Sequence, residues 1–582
     1  MEKGRVLYYT KTIVSAAGIS LILNLPVVSL YPLLLWAVCL VLFQQKKSIE
    51  KREWLFTWGG ALLFGIMLSM GLLQEQLGYG WKVALVRLAF IFAGSTIFLQ
   101  WFLTVCFTFL DGGAVQTAKR EKPSFGKMFG LCYLVMILFW LPAWLAHAPA
   151  FMSSDTIDQI QQALGIREIS NHHPAIHTLL IRGLYKLTRL FGVRDINISF
   201  AVIGLLQLLA MAAVCAGAVA YVYRWKRSKG ALFLMMAFYG LVAYNAYYSI
   251  TLWKDILHAG ITVLLLMVVH AALTEPDGKN RRKLLVAVGV VGVLFCLFRS
   301  NATYALFGWC TFLLLLVKKS WTEKKAVFLT VIGALALSML IKGPVYSSMG
   351  FAKPVFTESL SIPLQQVACV VANNRELSEE ETEMINRIAG IDGIRESYVD
   401  YISDPIKSLI AMCGQRDYLE AYKGEYLKLW FSLGIKYPKD YLFAWINQTK
   451  GYWYPNTSYW VYFGTIMQND LGLSGLGIVP SEVTAGVDKW VERYKEIPLY
   501  GSLWNLGVYS WTMILLGIYA LYKKRWEQAL LVALPLCLWG TLLISTPVYA
   551  EFRYLYAVIL STPLLTGLIY GERSGTPEGE EG

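Results

Sequence analysis

The chain has 582 residues, 56% of them hydrophobic and only 16% charged, with a formal net charge of +13 and a mean hydropathy of +0.49. A soluble chain carries about 25% charged residues, and here apolar runs near the ~20-residue membrane length recur from end to end. A soluble multidomain protein is excluded, and an all-α polytopic membrane protein is expected.

The basic N-terminus is followed by no small-residue cleavage site, so no cleavable signal peptide is expected. Residues 12–43 are too long for one span and contain Asn24, Pro26 and Pro32. They predict a hairpin of two short helices. Further spans are predicted over 54–73, 81–110, 128–148, 196–222, 231–250, 256–273, 284–298, 302–317, 326–341, 503–522, 530–545 and 554–570. The count is about fourteen.

With the N-terminus inside, the tight basic clusters share one side. They are Lys46, Lys47, Lys51 and Arg52; Lys119, Arg120, Lys122 and Lys127; Arg224, Lys226, Arg227 and Lys229; Lys279, Arg281, Arg282 and Lys283; Lys318, Lys319, Lys324 and Lys325; and Lys523, Lys524 and Arg525. This is the positive-inside pattern. The charge excess therefore orients the chain in a bilayer and is no nucleic-acid footprint. It divides the chain into a transmembrane module (1–341) with an outer loop at 150–195, a mainly helical outer domain (342–502), C-terminal membrane helices (503–570) and an acidic, Gly-rich disordered tail (571–582). Within the outer domain, 378–389, 395–402 and 417–433 read as helices. No internal repeat of clear period is found. Seven of the nine cysteines lie inside apolar runs and read as small buried hydrophobes. Cys369 and Cys413 lie in the polar part, where nothing supports a bridge.

The outer side collects the residues that carry chemistry. The loop at 151–181 holds Asp155, Asp158, Gln159, Gln162, His172, His173 and His177 beside a membrane span, a functional hypothesis by default. On a helix from Asp155 to Ala163 the two acids and two glutamines share one face, with Ile157, Ile160 and Leu164 opposite, as on an interfacial helix. Asp155 suits a catalytic role, or equally a helix cap. Pro174 suits a first helical position and leaves His173 on the cap side. His173 and His177, four apart, would converge with Asp155 on a divalent metal or a phosphate, or merely sit at the interface.

Lys254-Asp255 stands at a span end, as an ion pair or as ligand-facing groups. Arg299, with Asn301 close by, lies in a tight link where a charge needs an anion. Glu551, Arg553 and Tyr554 occupy a short outer turn. Glu358, Gln365 and Gln366 open the outer domain, and Gln side chains suit sugar hydroxyls. The aromatic run at 451–462 suits either sugar stacking or an interfacial belt. The set fits a reaction between a lipid-borne anion and a polar acceptor. A carboxylate would act as general base, and cations, or a metal, would stabilise a phosphate leaving group.

The motifs MSSDTIDQ, NHHPAIHT, TLWKD, FRSN, ESLSIPLQQ and EFRY resemble a bacterial family placed among the GT-C glycosyltransferases, polytopic enzymes that use polyprenyl-phosphate sugars. The resemblance covers most of the chain, the first four spans less clearly. It implies an extracytoplasmic active site in the bacterial plasma membrane and an inverting transfer of a sugar to a polysaccharide or glycolipid acceptor. Asp155 matches the catalytic acid position of the first large outer loop. It also marks His173-Pro174, Lys254-Asp255, Glu358, Gln365 and Arg553 as site residues. The link Arg299-Ser300-Asn301-Ala302 departs from a pattern with His and Gly at its second and fourth positions. No metal is implied. The competing readings are a flippase or transporter of lipid-linked saccharides, and a polysaccharide polymerase or ligase using diphosphate-linked donors. A transporter predicts repeated halves and broken helices at the midplane.

Overall fold

A computed structural model of the chain describes residues 2–26, 29–44, 50–112, 124–226, 228–317, 321–457 and 459–570. Lys46, Lys47, Lys119, Arg120, Lys122, Arg227, Lys318, Lys319 and the tail at 571–582 lie outside the described residues. Among the described residues the secondary structure is helical, and strand pairing is limited to isolated bridges. In lipid, a backbone without water must satisfy its own polar groups, so an uninterrupted apolar run becomes a helix. A helix covers each apolar run marked in the sequence.

Among the described residues eight helices are long and apolar enough to cross a membrane. A ninth is counted if Lys229–Leu241 and Ala243–Ser249, bent by 58° at their junction, form one span. Leu30–Phe43, Ser300–Leu316 and Leu506–Tyr522 are shorter apolar helices. The first hairpin consists of Glu2–Ile22 and Leu30–Phe43. Gly18 and Gly94 bring its first helix against Trp81–Asp111; a Cβ on Gly94 would lie 2.3 Å from the Val14 carbonyl oxygen. Such small-residue crossings let helix backbones approach closely in lipid.

The two ends of the helix array are tied separately. At one end Arg52 donates to the Leu521 carbonyl at 3.0 Å, Lys523 pairs with Asp111 at 2.7 Å, and Arg525 donates to the Ile569 carbonyl at 2.7 Å. At the other end lie Asp155, Lys254, Arg299 and Arg553, described below.

The same end carries the helical unit that begins near residue 356. Its core is built from Leu360, Val367, Val371, Ile385, Ile410 and Leu433. The expected helix at 378–389 is Glu379–Ile388, started by a Ser378–Glu381 capping box. The expected helix at 417–433 is two helices, Arg416–Ala421 and Lys423–Lys436. The expectation at 395–402 is corrected: the helix there is Ile391–Ser397, and the chain then turns extended. Ile402 bridges Val548, Tyr549 donates its N–H to Tyr401 at 3.1 Å, and Ser403 donates to Pro547 at 2.9 Å. Backbone pairing with the turn before Phe552–Ile569 takes the hydrogen bonds a longer helix would have used.

That turn is also held from below. Gln448 donates to the Thr546 carbonyl at 2.7 Å. The buried Tyr452 hydroxyl donates to Val548 at 2.9 Å and accepts from the Glu551 N–H at 3.1 Å. Gly451 permits this approach, since a Cβ there would lie 2.2 Å from the Tyr549 oxygen and 2.3 Å from the Ala550 Cβ. Gly451→Ala is expected to displace the 549–551 segment and cost about 1–3 kcal/mol, the usual range for overpacking. A thermal melt in detergent that matches the parent would contradict this. All nine cysteines are free.

Candidate functional site

Asp155 is placed by a lattice of short bonds between two segments distant in sequence. The Phe151 N–H donates to the Ile250 carbonyl at 3.1 Å, and Leu252 donates back to Phe151 at 3.2 Å. The Trp253 indole donates to Ser153 at 2.7 Å, and Thr156 donates to the Leu252 carbonyl at 3.2 Å. The segment that opens the Ser154–Leu164 helix is thus laced to the one that opens Lys254–Thr274. Asp155 and Lys254 share a neighbourhood as a result.

The Ala175–Leu190 helix packs against Ser154–Leu164 through Gln159. Its amide donates to Thr178 at 3.1 Å, and its oxygen meets His177 Nδ1 at 3.0 Å. Gln159 and Gln162 are buried, as is Ile160 on the opposite face. The Ser154–Leu164 helix thus packs against protein on both faces, while Asp155 and Asp158 keep 32% and 28% of their side chains exposed.

Arg553 is the hub. Its guanidinium donates to Asp155 at 2.8 Å, meets Glu551 at 2.9 Å, and lies 4.6 Å above the Trp253 ring and 5.2 Å from the Tyr554 ring. The Glu551 contact is an ion pair off the hydrogen-bond axis. Arg299 pairs with Asp255 at 2.5 Å, donates to the Tyr554 carbonyl at 3.3 Å, and sits 5.0 Å from the same Tyr554 ring. Lys254 reaches His173 Nδ1 at 2.8 Å, and His173 Nε2 stands 3.8 Å from Asp158. Lys342 donates to Thr303 at 3.0 Å and to the Arg299 carbonyl at 3.4 Å.

Three cations thus face three acids, Lys254, Arg299 and Arg553 against Asp155, Asp255 and Glu551, and Lys342 adds a fourth positive group beside the Arg299 carbonyl. A cluster so rich in cations suits an anionic guest.

The protonation states follow from the surroundings. Burial would raise the Asp155 carboxyl, but Arg553, Lys254 and His173 outweigh it and hold it well below the usual carboxylate range. Burial and Lys254 hold the His173 imidazole down at about 2, so it is neutral. Burial holds His177 at about 3. Glu551 moves the other way. Burial, with help from Asp255 and Asp155, lifts it to about 7 against the pull of Arg553.

A carboxyl whose folded value lies above its unfolded value holds its proton more tightly when folded. Its stabilisation is complete below ~4.3 and is lost as pH rises through about 7. Asp155 works in the opposite sense: its stabilisation is complete above ~3.9 and is lost only in acid. Below ~6.5 the neutral His173 and His177 act in the opposite sense, because their unfolded imidazoles take up protons. The Glu551 contribution is therefore read as a difference: the melting temperature of the parent relative to Glu551→Gln is expected to fall between about pH 5 and about pH 8. A difference that stays constant over that range would contradict the assignment.

Of the residues marked in the sequence, Asp155, His173, Lys254, Asp255, Arg299, Glu551, Arg553 and Tyr554 come together. Asp158 stands at the edge, bound to Arg167 at 2.8 Å and Gln162 at 2.7 Å. His172 is in edge contact with His173, ring centroids 4.6 Å apart. Glu358 pairs with Lys407 at 3.1 Å, and Lys407 also approaches Asp404 at 3.6 Å. Asp404 lies within reach of the Asp155 charge.

Others do not join the cluster. Asn301 donates to Thr541 at 2.7 Å. Gln366 is tied to the Tyr441 carbonyl at 3.3 Å and the Trp430 indole at 2.8 Å, inside the core of the helical unit that begins near residue 356. Gln365 donates to Val399. Asp155 does not cap its helix, whose N-cap position is Ser153.

Asp155, His173 and His177 do not converge as metal ligands. The Lys254 ammonium covers His173 Nδ1, and Gln159 covers His177 Nδ1. Among the described residues no group of three or more His, Cys, Asp or Glu is placed to hold a metal ion. The donor set does not fit a resident divalent cation. Lys342, His258 and Trp253 belong to the site's surroundings without having been singled out in the sequence. His258 is buried one turn below Asp255 with both ring nitrogens unpartnered. Lys342 lies in a π-helical turn, Ile341–Val345, a feature frequent at functional sites.

Fold and cluster together define a helical membrane protein with a buried ionic site at one end of its helix array. A family model described as a family of unknown function, DUF6020, matches residues 165–575. The chain belongs to that family. The match takes in His173 through Arg553 and begins after Asp155. No curated protein and no solved structure matches.

Proposed function

We propose that the protein is a membrane glycosyltransferase that moves a sugar from a polyprenyl-phosphate donor to a cell-envelope acceptor. The observation that carries this reading is the ionised Asp155 held on Arg553 beside Lys254 and Arg299. In this reading about fourteen spans cross the plasma membrane, and the site end faces away from the basic loops, on the extracytoplasmic side.

The donor phosphate seats among Arg299, Lys342, Lys254 and Arg553. It competes with Asp155 for the Arg553 guanidinium. Losing that partner raises the proton affinity of Asp155 when a base is needed. The acceptor oxygen then attacks the anomeric carbon from the face opposite the phosphate. The carbon–oxygen bond to phosphate breaks, the acceptor proton passes to Asp155, and the lipid phosphate leaves as an anion balanced by the cations. The outcome is inversion at the sugar.

The flippase alternative finds one favourable feature in the bent pair Lys229–Leu241 and Ala243–Ser249. The break is nevertheless filled: Asn245 donates to the Phe238 carbonyl at 2.8 Å, and Tyr244, Tyr247 and Tyr248 are buried against protein. A transport path needs polar, solvated lining at such a point.

The test is the purified protein in vesicles with a radiolabelled polyprenyl-phosphate sugar and a cell-envelope glycan fraction. Label appearing in glycan supports the proposal. Label that only changes leaflet would replace it with the flippase reading.

A further inference from the structure

We propose that a second pocket, lined by Asp400, Tyr401, Asn447, Lys450, Tyr459 and Tyr549, binds a neutral saccharide. The assignment of that saccharide as the acceptor rests on the transferase reading; the binding itself does not. The pocket encloses about 320 Å³, at the small end of the ~300–1,000 Å³ typical of ligand sites. Its size suits one or two sugar rings.

Its walls have the chemistry of sugar recognition. The Tyr549 ring stands 5.5 Å from Tyr401 at 71° and 5.4 Å from Tyr459 at 78°. Two rings set steeply against Tyr549 give the pocket aromatic walls. Aromatic faces are electron-rich and attract the C–H edges of a sugar ring. Polar groups stand beside them. Asn447 donates to Asp400 at 3.3 Å and retains donor and acceptor capacity. Lys450 is held against the Tyr454 ring at 4.7 Å. Asp400 and Lys450 cancel in charge, so the pocket favours an uncharged polyhydroxy ligand over an anion.

Its position connects it to the ionic cluster. Asp400 and Tyr401 come from the helical outer unit, and Tyr549 from the turn before Phe552–Ile569. The 3.1 Å bond from Tyr549 to Tyr401 joins the two. Glu551 follows Tyr549 by two residues, and Tyr459 lies within reach of the charges on Glu551 and Asp404. A sugar seated here approaches the cluster from the outer unit, while the cations that suit a phosphate lie among the membrane helices. Of the aromatic run at 451–462, Tyr452, Trp453 and Tyr454 are buried, and only Tyr459 lines this pocket.

The experiment is saturation-transfer NMR on the full chain in nanodiscs, with the methyl glycosides of glucose, galactose, mannose and N-acetylglucosamine as probes. At least one is expected to bind, with affinity reduced about tenfold or more in Tyr459→Ala and in the isosteric Asp400→Asn. Binding to a parent that transfers no sugar would keep the pocket and remove the transferase reading. No signal from any of the four glycosides, or a signal that survives both pocket variants, would overturn the proposal.

Discussion

Asp155→Asn is expected to reduce sugar transfer by about 10²–10⁴-fold, the usual contribution of a general base. The loss should appear in kcat with donor KM lowered, because the amide can no longer accept a proton and no longer competes with the donor phosphate for Arg553. Arg553 retains Glu551 at 2.9 Å, so the fold is expected to survive. Transfer within threefold of the parent, in a protein that melts normally, would remove Asp155 from the chemistry. The reaction would then need a different base, and Glu551, poised at about 7, is the next carboxyl in the cluster.

Arg553→Met is expected to be the most destabilising single change. It strands Asp155 and Glu551 near Asp255 with the shared counter-ion gone. Breaking a buried pair by removing one partner costs about 3–5 kcal/mol. The value here falls toward the lower end, because Asp155 keeps 32% of its side chain exposed and water screens it, whereas Glu551 keeps 4%. Adding Asp155→Asn to Arg553→Met removes the stranded carboxylate and is expected to recover at least about 1 kcal/mol, whereas Glu551, already poised at about 7, takes up a proton once Arg553 is gone. Arg553→Lys should not rescue. A point-like ammonium cannot span two carboxylates while lying flat on Trp253. A single variant as stable as the parent, or a double variant no better than the single, would show that Arg553 does not hold the site together.

The parts of this arrangement that can be read in the sequence are those that solvation dictates. Asp255, Arg299 and Arg553 stand at the ends of apolar runs, where an unpaired charge is costly, so each advertises a partner. Spacing could not decide whether Asp155 caps its helix or faces a ligand, because a cap needs the same residue at the same place. The His173–His177 spacing misleads for a definite reason. An i,i+4 pair shares a face only inside a helix, and Ala175–Leu190 begins after Pro174, which leaves His173 off the helix.

Lys342 at the end of an apolar run looks like any snorkelling lysine. Its role depends on a π-helical turn with no clear sequence signature. Gln366 carries the amide a sugar site would use, yet the Trp430 indole claims it, a contact across 64 positions. The bend at Val242 has no Pro, and a single Gly240 two residues earlier is tolerated inside an apolar helix, so 231–250 reads as a single span. The close approach at Gly451 turns Tyr452 inward, where a belt or a sugar-stacking role would have it face outward.

The Asp155–Arg553 bond also sets a timetable for biogenesis. Its partners are 398 positions apart. At about 5–20 residues per second of synthesis, the acid leaves the ribosome roughly 20–80 s before the arginine that neutralises it. Until the last helix inserts, the nascent chain carries Asp155 without its guanidinium partner at the bilayer edge. Chains cut short before Arg553 are therefore expected to be substrates for membrane proteases, which makes completion of the site a checkpoint on full-length synthesis.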